Sequence, residues 1–118
     1  MGGRALIGKC FTRRYDKEEF FILVDEVINK MKEVFVGNIA LVPAVRSKSS
    51  FGDMDLVLAI TEEENPVEIL QKLFNPELIL SNGGVHTFAL KELQIDVICH
   101  KPENFAVALA YFSFESGN

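Results

Sequence analysis

The sequence predicts an α+β fold with its elements in the order αββαβββα. Two kinds of signal support that order. Apolar residues at three- and four-residue steps mark helices, and short apolar, β-branched runs bounded by Asn, Gly and Pro mark strands. The first helix opens at Asp16, where Asp16 and Glu19 form a capping-box pair. Phe20, Val24, Val27, Ile28, Met31 and Phe35 then line one stripe to about residue 34, and Gly37-Asn38 stops it. Residues 39–45 are apolar enough for a buried strand, residues 46–50 form a polar loop, and residues 53–60 form a second strand. After a solvated turn, Pro66 suits a first helical position. Val67, Leu70, Leu73 and Phe74 give a short amphipathic helix that Asn75-Pro76 ends. Residues 77–80 and 85–90 read as strands of a hairpin joined through Ser81, Asn82, Gly83 and Gly84, because Asn and Gly tolerate positive φ. Residues 94–99 are the last strand, and residues 103–112 form a helix opened by Pro102.

Composition narrows the class. The chain has 118 residues, 48% of them hydrophobic, which suits one compact domain with a real core. No apolar run is long enough for a membrane-spanning helix, and the first ten residues lack the pattern of a secretory signal, so a soluble intracellular protein with no membrane partner is expected. Cys10 and Cys99 have no CxxC spacing and read as reduced thiols. The net charge of −5 gives little overall attraction for a phosphate backbone. Positive charge is nonetheless concentrated at Arg4, Lys9, Arg13, Arg14 and Lys17, and again at Arg46 and Lys48, so a local anion site is expected.

The chemistry is expected where carboxylates gather. Asp53 and Asp55 lie two apart at a strand start, so both side chains project from one face while Met54, Leu56, Leu58 and Ile60 face a core. Paired carboxylates repel unless a cation sits between them, and their oxygens suit a hard cation such as Mg²⁺. Surface acids or turn formers are the plain alternative. Asp96 interrupts the apolar run Ile95, Val97 and Ile98, where an unpaired carboxylate would cost several kcal/mol; the alternative there is a rim position or a salt bridge. Three carboxylates from two strands can hold two Mg²⁺ for phosphoryl transfer. The loop Arg46-Ser47-Lys48-Ser49-Ser50-Phe51-Gly52 adds cations, hydroxyls and backbone N–H groups suited to a triphosphate, or is an ordinary polar loop. His86 and His100 share no ligand spacing, and residues 62–64 are most simply a solvated acidic face.

Three stretches, in this order, resemble the palm of family X DNA polymerases: RSKSSFGDMDLVLAI at 46–60, SNGGVHTFAL at 81–90 and QIDVICHKPENFAVALAYFS at 94–113. That family pairs an arginine-containing phosphate loop with a G-D-x-D strand, a G-x-x-x-F hairpin, a third aspartate and a helix ending in Tyr-Phe. Here these correspond to Gly52-Asp53-Met54-Asp55, to residues 84–88, to Asp96 and to Tyr111-Phe112; Arg14 resembles the arginine before the palm's first helix. The resemblance implies a polymerase beta-like nucleotidyltransferase fold with a mixed five-stranded sheet flanked by helices. It implies that Asp53, Asp55 and Asp96 are the catalytic, metal-binding residues for two Mg²⁺ or Mn²⁺ ions, with Asp96 nearest the attacking 3′-hydroxyl. It also implies an NTP or dNTP contacted by Arg14, Arg46, Ser47, Lys48 and Gly52 and flanked by Tyr111 and Phe112, although helical spacing gives those two aromatics a core role equally well.

Val42 and Pro43 stand where the family has Gly-Ser, which removes a close backbone approach and a hydroxyl from the phosphate loop. The expected organisation is an N-terminal extension at 1–13, a palm at 14–113 and a tail at 114–118 with no thumb. The expected activity is nucleotide transfer to a hydroxyl, a DNA 3′-end in a complete protein, with weak nucleic-acid binding by this acidic chain alone. The alternatives are a minimal nucleotidyltransferase acting on a protein or small molecule, or a catalytically dead palm used as a binding module. The oligomeric state is not legible in the sequence.

Overall fold

Asp16 caps the first helix as predicted: its carboxylate accepts from the Glu19 N–H at 2.8 Å, and the Glu19 carboxylate accepts from the Asp16 N–H at 3.3 Å. The structure, a computed structural model, describes residues 12–42, 50–107 and 109. A two-residue strand, β1 (Tyr15–Asp16), runs straight into helix α1 (Lys17–Lys32). The chain continues through β2 (Ile39–Leu41), β3 (Ser50–Phe51), β4 (Asp53–Ala59), α2 (Pro66–Phe74), β5 (Leu80–Asn82), β6 (Val85–Leu90) and β7 (Leu93–His100). A 3-10 turn, Pro102–Asn104, follows.

The main sheet is mixed, ordered β2-β4-β7-β6-β5. Its two central strands, β4 and β7, are parallel, and every other pairing in it is antiparallel. Parallel neighbours need a crossover, supplied here by α2 and the β5–β6 hairpin. One face carries Met54, Leu56, Leu58, Phe88, Leu93, Ile95 and Val97, all fully buried. Phe20, Leu23, Val24, Val27 and Met31 of α1 and Leu70 of α2 join them in one core, so both helices cover that face. Each such side chain contributes about 1.5–3 kcal/mol by leaving water. On the opposite face Val42 and Val57 pack against Phe105 and Leu109. The carboxylates share that second face.

Several expectations change at their edges. The strand expected at 39–45 is Ile39–Leu41, extended by a bond from the Val42 N–H to the Asp55 carbonyl, and residues 43–49 lie outside the described residues. Ser50 is not loop: β3 pairs with β1, a second, two-stranded sheet absent from the expected order. The first hairpin strand is Leu80–Asn82 rather than 77–80, because a two-residue turn suffices: Gly83 (φ 58°) and Gly84 (φ 89°) both take left-handed angles that suit a tight hairpin. The last helix begins as a 3-10 turn, continues through residue 107, and its predicted end lies outside the described residues.

Candidate metal centre

Strand register assembles the site. Asp55 of β4 is paired with Asp96 of β7, and Asp96 in turn with Thr87 of β6; one step along, Asp53 is paired with Gln94 and Gln94 with Ala89. Side chains two apart on a strand share a face, and neighbouring strands lie about 4.8 Å apart, so these residues form a small grid on one surface. Asp53, Asp55 and Asp96 each offer a carboxylate oxygen, all within 4.8 Å of one another. Asp53 and Asp55 are half-buried and Asp96 is fully buried. Among the described residues, this is the one group of at least three His, Cys, Asp or Glu side chains close enough to share a metal ion.

Bringing three carboxylates so close opposes folding, by roughly 3 kcal/mol per ionised pair at an effective dielectric of about 20. A divalent cation among them reverses the sign, and an all-oxygen donor set fits Mg²⁺ or Mn²⁺. Asp96 is held by its neighbours: the Thr87 hydroxyl donates to its Oδ1 at 2.6 Å, and the Gln94 amide nitrogen lies 3.3 Å from each of its oxygens. Thr87 is 6% exposed and Gln94 fully buried. Neither was expected at the site, although the alternation that puts Gln94 on the face of Asp96 was available in the sequence.

The approach to Asp53 is fixed from the helix side. Phe51 is buried and stacks on Phe20 of α1 with ring centroids 4.0 Å apart, while Phe21 meets it edge-on at 6.0 Å. That contact ties β3, and through it the start of β4, to the core. Arg14 donates to the Ser50 hydroxyl at 2.9 Å and to the Ser50 carbonyl at 3.1 Å. Its Nη1 lies 3.1 Å from where a Cβ on Gly52 would stand, so the missing side chain at Gly52 leaves room for the guanidinium next to Asp53. The chain fold thus brings Arg14, Gly52, Asp53, Asp55 and Asp96 to one end of β4 and β7. Arg46, Ser47, Lys48, Tyr111 and Phe112 lie outside the described residues. Val42 is buried against Val57, not turned out as a loop residue.

His86 lies on the helix-covered face, where its Nδ1 meets the Ser81 hydroxyl at 2.8 Å and burial lowers its pKa. It belongs to hairpin packing and not to the carboxylate grid. No helix among the described residues is long and apolar enough to cross a membrane. Neither a protein-family model nor a curated relative matches the chain.

Proposed function

We propose that the chain is a metal-dependent nucleotidyltransferase domain with a polymerase beta-like palm fold, transferring a nucleotide from an NTP or dNTP to a hydroxyl, a DNA 3′-end in a complete protein. The observation that carries this is the convergence of Asp53, Asp55 and Asp96 from two parallel strands within 4.8 Å. Two Mg²⁺ or Mn²⁺ ions there would supply charge neutralisation for the phosphates and would acidify the attacking hydroxyl. In the transfer, the hydroxyl oxygen bonds to the α-phosphorus, the bond to pyrophosphate breaks, and the hydroxyl proton leaves to solvent or a carboxylate. Asp96, at the buried end of the group, is assigned to the side of the attacking hydroxyl. Arg14, with its guanidinium over Gly52, is assigned to the triphosphate.

A second reading, a catalytically dead palm used as a binding module that need not take up metal or nucleotide, draws on Val42, whose buried side chain stands at the family's phosphate-loop glycine. Calorimetry with a non-hydrolysable dNTP and Mg²⁺ separates the two, on the wild-type domain and on the double variant Asp53→Ala, Asp55→Ala. Metal-dependent binding that disappears in the variant is expected. No binding to either protein would overturn the nucleotidyltransferase reading and favour the silent one.

A further inference from the structure

We infer that Thr87 and Gln94 are positioning residues for Asp96, a pair of uncharged donors that fix which carboxylate oxygen faces a bound cation; this rests on the reading of the three aspartates as a metal centre. The hydrogen bonds are asymmetric. Oδ1 of Asp96 accepts both from the Thr87 hydroxyl, at 2.6 Å, and from the Gln94 amide, at 3.3 Å, whereas among the described residues Oδ2 accepts only from Gln94, at 3.3 Å. A carboxylate has about four lone-pair directions, so the pair occupies most of Asp96 and leaves its open capacity on Oδ2. Register fixes where that carboxylate sits, since Asp96 lies between Thr87 on one side and Asp55 on the other. Because the donors carry no charge, they orient Asp96 without cancelling the negative charge that attracts a cation.

Gln94 shows that this arrangement is costly to the fold. Its side chain is fully buried, and its Oε1 accepts no hydrogen bond among the described residues. A buried acceptor left so is unfavourable, and an apolar side chain of the same size would remove the penalty. The amide turns its nitrogen to Asp96 at the expense of its own oxygen, as expected when the carboxylate's orientation matters more than local stability. Donors of this kind behind a metal ligand typically change metal affinity by roughly 10- to 100-fold when removed.

The test is Mn²⁺ binding, followed by electron paramagnetic resonance and calorimetry, on the wild-type domain and on Thr87→Val, Thr87→Ser and Gln94→Met, with melting of each in EDTA. The expectation is that Thr87→Val and Gln94→Met weaken Mn²⁺ binding by roughly 10- to 100-fold, that Thr87→Ser keeps wild-type affinity, and that Gln94→Met melts no lower than wild type in EDTA. Folded Thr87→Val and Gln94→Met proteins that bind Mn²⁺ as the wild type does would overturn the positioning role alone, leaving the metal centre standing. A wild-type domain that binds no Mn²⁺ would overturn the metal reading and the positioning role with it.

Discussion

At Cys99 the strand that carries Asp96 turns a thiol toward the helix layer. Burial, and after it the nearby Glu64 carboxylate, pushes that thiol from an ordinary value of 9.0 up to about 12. In the unfolded chain the thiol loses its proton near its ordinary value, while the folded chain keeps it. The stability from this group is therefore intact below about pH 9 and is lost as the pH climbs through the folded value. Urea unfolding of wild type and Cys99→Ala at pH 8 and pH 11 should show a larger loss across that range in the wild type; an equal loss in both would remove Cys99 as its source. Asp53, Asp55 and Asp96 were legible in the sequence because a charged side chain in an apolar strand breaks a pattern. Thr87 and Gln94 were harder to see: neutral polar residues in strands are common, and although Gln94 lies two residues from Asp96 on β7, only the pairing of β6 with β7 brings Thr87 to it.

Among the elements, the helices were the most legible, because their caps are local. Asp16 with Glu19, and Pro66 at a first helical position, announce α1 and α2 within a few residues of where each begins. The β1–β3 pair left no such trace, since two-residue strands have no periodicity and their partners lie on either side of α1 and β2. The β6–β7 turn was silent for another reason. Lys91 (φ 50°) and Glu92 (φ 68°) occupy left-handed angles without being glycine, at a cost of roughly 1 kcal/mol each. Tertiary contacts hold them there: the Tyr15 hydroxyl donates to the Lys91 carbonyl, the Arg13 N–H donates to the Glu92 carbonyl at 2.8 Å, and Lys91 pairs with Glu26 at 2.9 Å. The residues around β1 therefore act as a clamp on this turn. Tyr15→Phe, which keeps the ring and removes the donor, should lower stability by about 1 kcal/mol in urea unfolding. An unchanged midpoint would show that the turn holds its angles without the clamp.

For the whole molecule, the α+β class and the parts of the carboxylate group could be read from the chain, but the order of strands could not. Nothing in residues 53–60 or 94–99 states that these two segments lie side by side and parallel; that follows from how α2 and the β5–β6 hairpin return the chain across the sheet. The parallel pairing has a kinetic consequence. Asp55 and Asp96 meet only once β4 and β7 have closed over the intervening crossover, the kind of distant pairing that slows folding. A cation that needs all three carboxylates has no complete site in a chain that has not yet closed this gap, so it should act as a late latch. Where that closure follows the folding transition state, saturating Mg²⁺ should leave the folding rate nearly unchanged and slow unfolding, by about 100-fold at a concentration 100 times the dissociation constant. Stopped-flow folding and unfolding with and without Mg²⁺ would show it. Faster folding with an unchanged unfolding rate would mean that the two strands meet early, and that the carboxylates gather while the rest of the sheet is still forming.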